Sequence, residues 1–333
     1  MHVSGFTGFE SAAQRLTNHQ LQKTGTKVGF YAEIQAASGL ERVTDEEAAF
    51  MPSENLVPMK QKVVYDLGAN TGDDIPYYLL KSDIVVAVEA NPILCELINN
   101  KFKSEIQAGR VIVENCVVTD KATDVVDFYI SKSHHVLSQL PPPAPSNIML
   151  FEKVGLPAKT ISELIQSHGH PYYIKIDIEY YDAQILRALF SSGIFPPFIS
   201  AEAHSIEVFA LLVAQGGYNA FKIVDGRSVP KVYSNRLIFS ENERKHVRFS
   251  FPFHAAGPFG NDVDGSWMTA DNFLQVLALE GLGWKDIHAT NLEFADPSAR
   301  VSNYDLTLRY TRRAMKAILI SLSASLRQTV TLG

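Results

Sequence analysis

Val63-Val64-Tyr65-Asp66-Leu67-Gly68-Ala69-Asn70-Thr71-Gly72-Asp73-Asp74 is the stretch whose reading decides the fold. VVYDL is a short, mostly apolar run suited to a strand, and it closes on a glycine. IPYYLLK (75–81) then carries apolar residues at helical spacing. A strand that turns through glycines into a helix opens a βαβ unit. The glycines allow a tight turn and let a ligand approach the helix N-terminus.

Working outward, DIVVAVEANP (83–92) reads as a second strand, ILCELINNKFK (93–103) as a second helix and RVIVENCVV (110–118) as a third strand. YYIKIDIE (172–179) reads as the fourth core strand, DAQILRALF (182–190) as a helix ending near Gly193, and FISAEAH (198–204) as the fifth strand, with a helix through 206–217. Strands alternating with helices across short loops predict a doubly wound, mostly parallel, Rossmann-like α/β sheet. The nearly unbroken apolar runs VVYDL and IVVAVE suit parallel strands buried on both faces. VVDFYISK (125–132) is expected as an additional strand, leading into a proline-bearing loop over 131–147. AFKIVDG (220–226) and NRLIFS (235–240) are expected as a final antiparallel pair. Residues 241–333 show no clear sheet; a helix is expected within 269–284 and another over 314–328. Residues 1–60 are polar, with one short helix expected at TDEEAAFM (44–51). The expected organisation is an N-terminal arm or lid (1–60), a ligand-binding core (61–240) and a C-terminal extension packed on it (241–333).

The chain has 333 residues, 46% of them apolar and 20% charged, which supports a substantial core and excludes a mostly disordered chain. The net charge of −6 leaves no electrostatic footprint for nucleic acid or anionic membrane, so a small-molecule or glycan partner is expected. Cys95 and Cys116 sit among apolar neighbours and read as packing; two cysteines are too few for a disulfide framework or a four-thiolate zinc site. No stretch has the length and purity of a membrane span, and the N-terminus has no charged start followed by an apolar run, so a cytoplasmic location is expected. Oligomeric state is not legible.

The loop departs from the nicotinamide fingerprint G-x-G-x-x-G, because Asn70 and Asp73 stand where its second and third glycines belong. An aspartate at that helix start repels a pyrophosphate but tolerates a ligand without phosphate, such as S-adenosylmethionine. Glu89, at the end of the second strand, is placed to accept both ribose hydroxyls.

These segments resemble the FkbM-type family of S-adenosylmethionine-dependent methyltransferases. The resemblance lies in VVYDLGANTGDD (63–74), VVAVEANP (85–92), NCVVTD (115–120), YYIKIDIEYYDAQILRAL (172–189) and FISAEAH (198–204), covering about 60–240. It implies a Rossmann-like sheet and methyl transfer, usually to an oxygen of a sugar, glycan or secondary metabolite. Asp66, Gly68, Asn70, Thr71, Gly72, Glu89, Asn91 and Asp120 are the expected cofactor contacts. For Asp120, a place near the adenine and a plain turn start are equally open. The family block K-x-D-x-E-G departs here at Tyr180, which replaces the glycine and reshapes the acceptor side.

Lys175, Asp177 and Glu179 alternate along an apolar segment, so a strand through them puts all three on one side. Charge on a buried strand is costly unless paired or functional. Asp177 is expected to face the transferring methyl, Glu179 to bind or deprotonate the acceptor, and Lys175 to orient a carboxylate; pairing with Lys175 alone is the structural alternative. Glu202 and His204 end the next strand. With Asp177 they form either an oxygen-rich Mg²⁺ site or a metal-free site with His204 as base. The metal-free reading is favoured, because the sequence shows no dense ligand cluster. His134 and His135 read as a solvated pair, and Tyr77 and Tyr78 as packing. A non-catalytic methyltransferase-like binding domain is the main alternative function. A nicotinamide oxidoreductase ranks lower.

Overall fold

The computed structural model describes residues 61–299, together with Thr311 and Met315. The expected N-terminal arm (1–60), its helix at 44–51, and nearly all of the helix expected over 314–328 lie outside the described residues.

The strands are β1 (Val63–Leu67), β2 (Ile84–Glu89), β3 (Val111–Asn115), β4 (Val117–Thr119), β5 (Val125–Ser131), β6 (Phe151–Thr160), β7 (Pro171–Ile176), β8 (Phe198–Glu202), β9 (Ala220–Asp225), β10 (Arg236–Ser240), β11 (Lys245–Phe249) and β12 (Lys285–Thr290). Between them run α1 (Ile75–Lys81), α2 (Pro92–Lys101), α3 (Lys103–Gln107), α4 (Ile161–His168), α5 (Asp182–Ser191), α6 (Ile206–Ala214), α7 (Val229–Val232) and α8 (Ala270–Glu280).

The seven-stranded central sheet has the order β3-β2-β1-β7-β8-β12-β9. Its first five strands are mutually parallel, and β12 runs antiparallel to both β8 and β9. This is the expected mostly parallel α/β architecture. All five residues of β1 are buried, as are five of the six in β2, which explains their unbroken apolar character.

Helix starts follow local chemistry. Asn91 caps α2 by accepting from Ile93 N at 3.0 Å, and Pro92 occupies the first turn, where no intrahelical donor is needed. Thr160 and Glu163 form a reciprocal capping box on α4.

The final pairing differs from expectation. AFKIVDG does become β9, but its partner is β12, while β10 from NRLIFS pairs with β11 in a separate hairpin. Residues 285–290 are thus an integral strand of the central sheet, although 241–333 carries no clear strand signal in sequence. KDIHAT holds four polar or charged side chains, Lys285, Asp286, His288 and Thr290, yet all six of its residues are buried. Their burial depends on partners supplied by neighbouring strands. RVIVENCVV also divides at Cys116: β3 stays in the central sheet and β4 joins β6 and β5 in a three-stranded sheet.

The glycine-rich segment 253–268 closes over α1. Tyr77 and Tyr78 are fully buried beneath it, and Phe259 stacks on Tyr173 with ring centroids 4.0 Å apart. Asp262 accepts from Tyr77 Oη at 2.8 Å and pairs with Lys81 at 3.1 Å. Asp264 pairs with Arg236, and Trp267 donates to Asn261 Oδ1 at 2.9 Å. Asp262, Asp264 and Trp267 are therefore structural fastenings of this segment. Among the described residues, no helix is long and apolar enough to cross a membrane.

Candidate functional site

The turn after β1 is held open by backbone conformation. Gly68, Asn70 and Gly72 have φ of +81°, +49° and +71°. A Cβ on Gly68 would lie 1.9 Å from the carbonyl oxygen of Asp177, so the exits of β1 and β7 meet where only glycine fits. Glu89 reaches from the end of β2 and accepts from Asn70 N and Asn91 N, each at 2.8 Å. It thereby sets the shape of the turn, and each carboxylate oxygen keeps a lone pair for a further donor. Burial pushes its carboxyl up to about 7, against the pull of the two amides.

The other expected cofactor contacts divide. Asp66 is almost fully buried and pairs with Lys175 at 3.2 Å, beneath the turn. Thr71 Oγ1 donates to Asp73 Oδ2 at 3.0 Å, and Asp73 also pairs with Lys101 at 2.8 Å. Asn91 spends its side chain on the α2 cap and is buried, which makes it a structural residue. Asp120 accepts from Tyr181 Oη at 2.6 Å, tying the end of β4 to the loop before α5; it is neither free nor a plain turn residue. Asp74 was not singled out by sequence. It accepts from Ala256 N at 2.9 Å and Gly257 N at 3.3 Å, and so locks the 253–268 segment to the start of α1.

On the other side of the turn the strand alternation breaks down. β7 ends at Ile176, and Glu179 and Tyr180 have φ of +46° and +66°. Lys175, Asp177 and Glu179 therefore do not share one strand face. Lys175 stays deep: its Nζ lies 3.4 Å from Asp177 Oδ2 and donates to the Gly68 carbonyl at 3.3 Å. Burial works against its charge, but Asp66, Asp177, Asp74 and Asp286 together hold its pKa well above the ordinary value.

The left-handed pair at 179–180 turns Glu179 back toward the end of β8. Its carboxylate comes within 3.6 Å of His204 Nε2, while Glu202 Oε2 stands 2.8 Å from the same nitrogen. The Tyr180 ring stacks on the His204 imidazole with centroids 4.6 Å apart. The family glycine is intelligible here, because position 180 needs a positive φ that costs a non-glycine residue about 1–2 kcal/mol. The grouping is thus Glu179, Glu202 and His204, not the Asp177, Glu202 and His204 set anticipated from strand order. Asp177 lies beside it, within hydrogen-bonding reach of Glu202.

The electrostatics follow from crowding. Burial first, then Asp177 and Asp182, push Glu179 up to about 8. Burial, Asp177 and Asp286 raise Glu202 much further. Burial lowers His204, against the opposing pull of Asp177. Asp286 and Asp182 escaped sequence reasoning. Asp286 sits opposite Glu202 in the β12–β8 register, and Asp182 opens α5 and is almost wholly buried. An acid at the start of a predicted helix was the one sequence signal for Asp182; Asp286 had none until β12 was placed. His134 and His135 are exposed, as expected, and Cys95 and Cys116 are buried free thiols.

Residues 66–212 match the family model of the methyltransferase FkbM domain. No curated protein matches the chain. Among solved structures, the C-terminal domain of precorrin-6Y C5,15-methyltransferase from Rhodobacter capsulatus is 14% identical, with 61% of this chain and 78% of that one covered and a TM-score of 0.30. The precorrin-6y C5,15-methyltransferase of Geobacter metallireducens GS-15 is 11% identical over 50% of this chain and 67% of that one, with a TM-score of 0.28. M. capricolum TrmK in complex with S-adenosyl-homocysteine is 8% identical over 74% of this chain and 68% of that one, with a TM-score of 0.30. Likeness at this level bears on neither substrate nor mechanism. The stretch that matches the FkbM methyltransferase domain contains the glycine turn, Glu89, Asp177 and His204.

Proposed function

We propose that the chain methylates a hydroxyl oxygen of a sugar, glycan or secondary metabolite. The observation that carries this reading is the convergence of Glu179, Glu202 and His204 beside Asp177, whose backbone carbonyl lies against Gly68 at the start of the turn. Such a set suits an acceptor that must be both gripped and deprotonated. The Gly68–Gly72 turn would hold S-adenosylmethionine, with Glu89 accepting from its ribose hydroxyls. Glu179, Glu202 and His204 hold the acceptor oxygen. That oxygen attacks the methyl carbon, the carbon–sulfur bond breaks with its electron pair passing to sulfur, and S-adenosylhomocysteine leaves. The hydroxyl proton passes to Asp177, whose side chain is 32% exposed and is positioned by Lys175. Fixing acceptor oxygen, methyl carbon and sulfur in line supplies much of the rate.

Two measurements test this. Calorimetry should show S-adenosylhomocysteine binding, and preference for NADH would sink the cofactor assignment. Transfer of a labelled methyl from S-adenosylmethionine should then be screened over polyols, sugars and phenols, with amines as the contrasting class. Label appearing only on nitrogen or carbon would overturn the oxygen reading.

A further inference from the structure

The grouping of Glu179, Glu202 and His204 has the dimensions of a coordination shell. One ligand atom from each lies within 4.8 Å of the others. Ligands about 2.1 Å from a shared ion stand roughly 3.0 Å apart at right angles and about 3.4 Å apart at tetrahedral angles. His204 Nε2 is 2.8 Å from Glu202 Oε2 and 3.6 Å from Glu179 Oε2, close to those two spacings. Yet that nitrogen is buried and makes no hydrogen bond of acceptable geometry to either carboxylate. A ring nitrogen so near two carboxylates but aligned with neither is oriented for a point between them.

Charge balance points the same way. Asp177, Asp182 and Asp286 crowd the two glutamates, while Lys175 is engaged by Asp66, Asp177 and the Gly68 carbonyl. Buried carboxylates need compensating positive charge or protons. The Tyr180 ring, stacked on His204, fixes the imidazole plane and covers one side of the group.

We infer that Glu179, Glu202 and His204 bind a divalent first-row transition-metal ion, which seats the acceptor oxygen beside the methyl donor. The role given to the ion rests on the methyl-transfer reading; the binding does not. An imidazole nitrogen among the ligands favours Mn²⁺, Fe²⁺ or Zn²⁺ over Mg²⁺, which prefers an all-oxygen shell.

The test uses the full chain, stripped with a chelator and titrated with MnCl₂ while free Mn²⁺ is followed by electron paramagnetic resonance. One ion per chain is expected, with Mg²⁺ displacing it only in large excess. Glu179→Gln and His204→Ala should each weaken binding at least about tenfold, as loss of a ligand requires. Glu243→Gln, an exposed change elsewhere, should leave it unaltered. Circular dichroism melts confirm folding, and if one variant fails to fold the other decides. Folded wild type that binds neither Mn²⁺ nor Zn²⁺, binding that survives both substitutions, or Mg²⁺ competing on equal terms would overturn the inference. Calorimetry with S-adenosylhomocysteine on the same preparation separates the two readings. Cofactor binding without metal binding removes the ion alone, and metal binding without cofactor binding removes the methyl-transfer reading alone.

Discussion

The carboxyl edge of the sheet has two halves built by different means. Around β1 and β2 the site is made of backbone: three positive-φ residues, the amides of Asn70 and Asn91, and one carboxylate that gathers both amides. Its parts lie within 66–91 of the chain. Around β7 and β8 the site is made of side-chain charge gathered from distant segments: Asp177 and Glu179 after β7, Glu202 and His204 at the end of β8, Asp286 on β12. The first half presents a fixed shape to a ligand of constant structure. The second stores strain and uncompensated charge, the properties expected where chemistry occurs. Gly68 is the joint, lying against the Asp177 carbonyl.

The sharpest way to break this contrast is to replace a carboxyl by its amide on the β7–β8 side, which keeps the shape. Glu179→Gln and Asp177→Asn are expected to stay folded, with melting temperatures near wild type; turnover falls about 10²–10⁴-fold in Asp177→Asn, the range for losing a proton-transfer group, and falls in Glu179→Gln through loss of a group that grips the acceptor. Full activity at both positions would make that half structural.

The joint itself comes next. Lys175→Met leaves Asp66 and Asp177 facing one another without their cation and should cost about 3–5 kcal/mol in urea unfolding. Stability unchanged from wild type would mean that the lysine serves the reaction alone.

A pH experiment probes the backbone-built half. Because burial raises Glu89 from an ordinary 4.5 to about 7, the folded protein holds this proton more tightly than the unfolded chain does. Its contribution to stability is full below pH 4.5 and is lost as pH rises through 7. The stability of wild type relative to Glu89→Gln should therefore fall by roughly 3 kcal/mol across that window. A flat difference would show that Glu89 is ionised at little cost. The same variant, studied by calorimetry, is expected to bind S-adenosylhomocysteine about 1–3 kcal/mol more weakly, from lost charged hydrogen bonds.

The smallest effect is expected for Tyr180→Gly. Glycine relieves the positive φ but forfeits the stack on His204, and the two roughly cancel, leaving unfolding free energy within about 1 kcal/mol of wild type. A change in acceptor KM with stability unmoved would assign Tyr180 to the acceptor pocket.

Legibility in the sequence followed the same division. The glycine turn, Glu89 and the five parallel strands could be read directly, because φ-permissive residues and unbroken apolar runs are local signals. Asn91 and Asp120 were expected as cofactor contacts, and their roles as a helix cap and as the partner of a tyrosine 61 positions away were not legible, since such residues look like any other Asn and Asp. Glu179 was singled out, but its direction was not legible: a strand pattern extended past Ile176 gives the wrong face, and nothing in K-I-D-I-E-Y-Y announces two left-handed residues.

By itself, then, the sequence determined the α/β class, the five parallel strands and the glycine turn after β1. The tertiary structure alone decided that β12 enters the sheet between β8 and β9, that Asp286 stands opposite Glu202, and that Glu179, not Asp177, completes the group around His204. The physical reason is range. Strand propensity and turn chemistry act over a few residues, whereas a polar strand such as KDIHAT is stable only once neighbours sixty or more positions away supply its hydrogen bonds and bury its charges.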